Sequence, residues 1–99
     1  MRTYELLFIA RPELEEEELG ALVESIQKAM TDNGGEIVDV EHWGKRKLAY
    51  AIKHKTEGYY VLIHAKLELP AIREMERTLK LSEDVLRYLL VRMDEDEEE

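Results

Sequence analysis

Two stretches of this chain carry apolar residues at steps of three and four on one side only. They constrain the fold more than anything else in the sequence. In the first, Leu19, Leu22, Val23, Ile26 and Met30 form one stripe within a helix expected from about Glu13 to Asp32. In the second, which opens at Leu69-Pro70, the stripe is Ile72, Met75 and Leu79. A helix with a single stripe can bury only one side. Two such helices, separated by strand-like segments, are satisfied together when both lie on the same face of one sheet. With 99 residues the chain has enough length for one such core and no more.

Four segments supply the strands. Thr3 to Ala10 is an apolar run, with Tyr4, Leu6, Phe8 and Ala10 on one side and Glu5, Leu7 and Ile9 on the other. Pro12 suits a helix first turn, and the acidic residues Glu13 and Glu15 to Glu18 suit the positive end of the helix dipole. Asn33-Gly34-Gly35 closes that helix. Glu36 to Lys53 reads as one long strand with a kink or bulge near Gly44. A turn is expected at His54 to Gly58, and Tyr59 to Leu67 is the returning strand of a hairpin. After the second helix, Leu81-Ser82-Glu83-Asp84 is a loop and Val85 to Met93 the last strand. The order β-α-β-β-α-β predicts an α+β, ferredoxin-like fold: a four-stranded antiparallel sheet with two helices on one face. Residues 1–93 are expected to form one domain. The run Asp94 to Glu99, six carboxylates in succession, is expected to be a disordered acidic tail.

Composition removes several classes of function. No apolar run reaches the about 18 residues a membrane span needs, and Met1 to Glu5 lacks the layout of a signal peptide. There is no cysteine, so no disulfide and no thiolate metal site. A cytoplasmic location is consistent with this. His42, His54 and His64 have no metal-ligand spacing, and Ser25 and Ser82 sit in no nucleophile context. Gly34-Gly35 follows a helix and precedes a strand, the reverse of a phosphate loop. The sequence therefore predicts no enzyme, no metal, no cofactor and no small-molecule substrate.

The net charge is −9, which argues against a naked nucleic-acid binder, but setting aside the six tail carboxylates takes −9 to −3. Basic residues gather locally. Lys45, Arg46 and Lys47 read either as a solvated strand exterior or as a contact to phosphate or to an acidic surface. Arg2, Arg87 and Arg92, on strands expected to be neighbours, are candidates for a second cluster. The RNA-recognition motif shares this strand order and stacks bases on aromatics of its third strand. Here Glu57-Gly58-Tyr59-Tyr60-Val61 has an acid where a base is wanted, a ring where a small residue is wanted, and Val61 where the second ring belongs. Alternation instead puts Leu7, Ile9, Val61, Ile63, Leu89 and Val91 on the face away from the helices, an aliphatic surface suited to a protein partner. Trp43 is expected in the core or as a partner anchor, ahead of a base-stacking role.

The same residues carry a family resemblance. Met1-Arg2-Thr3-Tyr4-Glu5 with Ala10-Arg11-Pro12, Gly44 to Tyr50 with Ile52, Glu57 to Val61, and Leu79 to Tyr88 together resemble the family of bacterial small-subunit ribosomal protein six, in order and over residues 1 to about 93. The resemblance implies a ferredoxin-like, non-catalytic ribosomal component that binds the central domain of 16S ribosomal RNA. It also implies a heterodimer with the small basic eighteenth protein of that subunit. Carried over by residue, it implies RNA contacts at Arg2, Arg87 and Arg92, and RNA or partner contacts at Lys45, Arg46 and Lys47. Two other classes of function fit the fold: a protein–protein adaptor using the open sheet face, and a small-molecule-binding regulatory domain.

Overall fold

The computed structural model describes residues 1–93; the expected acidic tail, 94–99, lies outside the described residues. The elements are β1 (Arg2–Ala10), α1 (Glu16–Thr31), β2 (Glu36–Ile52), β3 (Lys55–Leu67), α2 (Leu69–Leu81) and β4 (Val85–Met93). The sheet order is β2-β3-β1-β4 and every neighbouring pair is antiparallel. The two helices pack on the face that carries Leu6, Phe8 and Ala10, and their stripe residues Leu22, Val23, Ile26, Met30, Met75 and Leu79 complete the core.

Helix α1 begins three residues later than its acidic run suggests. The intervening turn is fastened to the opposite edge of the sheet. The Arg11 N–H donates to Asp84 O at 2.9 Å, its Nε donates to Asp84 Oδ1 at 2.7 Å, and Leu14 is buried in the core. Pro12 therefore sits in that turn and not in the helix. The helix is capped at Glu15, whose N–H is accepted by Glu18 Oε1 at 2.8 Å, with Glu16, Glu17 and Glu18 in the first turn.

The β2–β3 hairpin is longer than expected. Its turn is the two residues Lys53 and His54, both at positive φ (51° and 68°), so β3 starts at Lys55 and not at Tyr59. Two-residue turns of this hand match the twist of a hairpin; Asn-Gly, the usual signal for one, is absent. β1 pairs with β3 only from Tyr59 to Leu67, so the hairpin extends past the four-stranded sheet as an arm. At the base of the arm the β2 register shifts between His42 and Gly44, leaving Trp43 as the extra residue of a bulge. Gly44, at φ 89°, takes the left-handed conformation that the bulge requires.

One expected face assignment is wrong. Phe8 lies opposite Val61, and Leu6 opposite Ile63. Residues paired across a ladder share a face, so Val61 and Ile63 belong to the helix-covered core, both 0% exposed. The open face takes Tyr60, Leu62 and His64 from β3 instead, opposite Ile9, Leu7 and Glu5. Tyr59 to Ile63 is apolar or aromatic throughout, so no alternation within it sets the phase. The phase was recoverable one step along: His64 and Lys66 put the polar, outward positions on even numbers.

Candidate interaction surface

The strand periodicity that builds the core leaves the other sheet face without a roof. Along the strand direction that face divides into three zones. The middle is apolar: Leu7 of β1 lies between Leu62 of β3 and Leu89 of β4, with Val91 beside Glu5. Leu89 is 59% exposed and Val91 42%, while Leu62 is buried beneath its neighbours.

One end is acidic. His64 stands opposite both Glu5 and Asp39. Its Nδ1 lies 2.8 Å from Asp39 Oδ1 and its Nε2 lies 3.5 Å from Glu5 Oε2. The hydrogen bond to Asp39 raises the His64 pKa above its ordinary value; partial burial opposes the rise, and the charges of Asp39, Glu5 and Glu41 add to it. Asp39, Glu41 and His64 each bring one potential ligand atom within 4.8 Å of the others. Both ring nitrogens already face carboxylates and Asp39 and Glu41 are exposed, an arrangement suited to holding a proton. This grouping is made across strands, so no spacing along the chain announced it.

The other end is basic and aromatic. Trp43 and Tyr60 stack with centroids 6.2 Å apart and planes 9° from parallel. The Arg46 guanidinium lies 5.4 Å over the Trp43 ring, and its Nε donates to Trp43 O at 3.3 Å. Trp43 Nε1 donates to Glu41 Oε1 at 3.0 Å, which links this end to the acidic one. Trp43 is thus a surface residue, 37% exposed, so of the two expected roles, core residue or partner anchor, the structure excludes the core position. Arg87 Nη1 donates to Tyr50 OH at 2.5 Å, and Ile9, Leu48, Tyr50, Ile52, Tyr60 and Arg87 line an open depression of about 210 Å³. Neither Tyr50 nor Tyr60 was singled out by sequence. The bulge at Trp43 brings Trp43 onto Tyr60, and the arm's return carries Tyr50 to Arg87.

The structure does not bring the three candidate arginines together. Arg87 lies opposite Ile9 on the open face, and Arg92 lies opposite Tyr4. Five residues is an odd step, so the two point to opposite faces, roughly 16 Å apart along the strand. Arg2 and Arg92 are diagonal neighbours on the helix side, at the far end of the sheet from Arg87. The triplet on β2 is also divided. Lys45 lies 5.3 Å over the Tyr59 ring, which packs against the core, whereas Arg46 is on the open face and Lys47 stands opposite Glu57.

Comparison with known proteins follows the same outline. The family described as Ribosomal protein S6 matches residues 3–92. The small ribosomal subunit protein bS6 of Moorella thermoacetica is 45% identical over 96 residues, 97% of this chain and 98% of that protein. That of Thermoanaerobacter pseudethanolicus is 47% identical over 95 residues, 96% of this chain and 100% of that one. The solved structure of 30S ribosomal protein S6 from Thermotoga maritima superposes with a TM-score of 0.90 at 34% identity, covering 97% of this chain and 91% of the other.

Proposed function

The chain belongs to the ribosomal protein S6 family, and from that premise we propose that it binds the central domain of 16S ribosomal RNA as a heterodimer with the small basic eighteenth protein of the small subunit. The family is one of structural ribosomal components of the cytoplasmic ribosome, not of enzymes.

The open sheet face is the observation that carries the proposal. Leu7, Ile9, Leu89 and Val91 form an apolar strip that an isolated protein rarely leaves bare. Glu5, Asp39 and Glu41 at one end of the strip match a basic partner, which also offsets the negative charge of this chain when RNA approaches. Arg87 and Arg46 at the other end, Arg2 and Arg92 at the far corner, and Lys45 and Lys47 on the arm are the proposed phosphate contacts. Arg46 is held over Trp43 by its ring contact and its hydrogen bond to Trp43 O, so less side-chain freedom is lost on binding.

Co-sedimentation with small ribosomal subunits through high salt is the direct test. Retention is expected, because a protein partner's apolar contacts survive the screening that weakens phosphate contacts. Release at modest salt, or cellular associations that ribonuclease leaves intact, would favour a protein–protein adaptor on the same face.

A further inference from the structure

We propose that Lys53, Lys80 and Arg87, with the Ser82 hydroxyl, form a binding site for a single phosphate of an RNA backbone; the inference rests on the RNA-binding reading above and adds a place to it. These residues come from three separate parts of the chain: the tip of the β2–β3 arm, the end of α2 with the residue that follows it, and the start of β4. They line one open depression of about 270 Å³, and no carboxylate lines it.

Each member has an ordinary explanation, but none explains the convergence. Lys80 lies in the last turn of α2, where a cation complements the helix dipole. Lys53 occupies the left-handed turn, and its Nζ reaches Val85 O at 3.5 Å, tying the arm to β4. Arg87 holds Tyr50. In a chain of net charge −9, however, several cations are paired with carboxylates. Arg11 pairs with Asp84 and Glu13, Lys28 with Asp32, Lys55 with Glu13 and Arg77 with Glu74. Among the described residues, Lys53 and Lys80 have no carboxylate within ion-pair distance. Of the two acids on β4's approach, Asp84 is committed to Arg11 at 2.7 Å and Glu83 does not line the depression. Ser82 Oγ accepts the Asp84 N–H at 3.1 Å, which leaves the hydroxyl hydrogen to donate. The C-terminus of α2 contributes about half a negative charge, which three cations outweigh. Their mutual repulsion is relieved by a bound anion.

The site's openness selects the source of that anion. Solvent-exposed charges attract a free phosphate only weakly. A polymer delivers its phosphates at high local concentration once other contacts are made, and Arg87 joins this depression to the open face where such contacts are proposed.

The test measures binding of the protein, in complex with its basic partner, to a transcript of the 16S central domain across a range of salt. Two double variants remove equal charge: Lys53→Gln with Lys80→Gln, and Arg73→Gln with Arg77→Gln on the exposed surface of α2. The first pair is expected to weaken binding about tenfold or more and to lower the log–log salt slope by about two, one per contact. The second should leave the slope unchanged. Lys80→Gln alone, at an exposed position, should melt as the native protein does and lower the slope by about one. If the native protein binds in a salt-dependent way but both double variants behave alike, this site is overturned and the RNA-binding reading stands; if the native protein binds no RNA, both fall. Inorganic phosphate supplies the remaining arm, read on the backbone amides of Lys53 and Ser82. Saturation at low millimolar phosphate, with RNA affinity unaltered in the first double variant, would assign the site to a free anion and overturn the proposal.

Discussion

The two faces of this sheet are built from the same four strands and differ in almost everything else. On one, Leu6, Phe8, Val61 and Ile63 are sealed beneath two helices. On the other, one residue along each strand, Leu7, Leu89 and Val91 remain solvated between an acidic and a basic end. The covered face is fixed by burial and has no tolerance for charge. The open face contributes little to the fold and can be organised for what it meets. The comparison teaches that adjacent apolar residues in one strand can hold unrelated roles, separated only by the period of two.

The largest effect should come from placing charge on the covered face. Val61→Asp would bury an unpaired carboxylate at a site with no solvent, at a cost of about 4 kcal/mol or more; a chemical-denaturation curve should show a chain largely unfolded. Ile63→Ala, which leaves only a cavity, should cost about 2–5 kcal/mol by the same measurement. If either variant melts near the native temperature, the phase of β3 is not as described.

An intermediate effect is expected where the two faces meet the arm. Gly58 packs so closely on β1 that a Cβ there would run into Ile9 Cγ2 and lie 3.0 Å from Ala10 O. Gly58→Ala should therefore cost about 1–3 kcal/mol, as overpacking does, and lower the melting temperature in calorimetry. An unchanged melting temperature would show that the arm can tilt away freely.

The smallest effect belongs to His64 at the acidic end. Asp39 raises its folded pKa above the unfolded value of about 6.5. Protonation is therefore tighter in the folded state. The stabilisation is fully present below that unfolded value and is lost as pH rises through the folded pKa. Proton-coupled NMR titration of the imidazole should show the raised midpoint, and His64→Gln should abolish this part of the pH dependence of stability. A midpoint at or below the ordinary value would remove Asp39 and Glu5 from its surroundings.

Much of the covered face was legible in the sequence, because it is written in local periods. The α1 stripe, the Gly44 bulge, the odd–even split of β1 and the bounds of β4 all come from neighbours along the chain. What was illegible depended on register or on distance. The phase of β3 is hidden within the unbroken run Tyr59 to Ile63. Arg2, Arg87 and Arg92 share neighbouring strands, yet an odd step and opposite ends part Arg87 from the other two. His64 meets Glu5 and Asp39 only through pairing on both sides of β3. The start of α1 was displaced because Arg11 is held by Asp84, 73 positions away.

The central claim is that the open face serves a partner and not the fold. It is tested most directly by Leu89→Asp, with melting of the isolated protein and affinity for the basic partner protein measured on the same sample. The fold should lose about 1 kcal/mol or less, the scale of strand preference at an exposed site. Affinity should fall at least about a hundredfold, since a carboxylate buried against an apolar partner costs several kcal/mol. A variant that melts normally and binds the partner with native affinity would contradict the account.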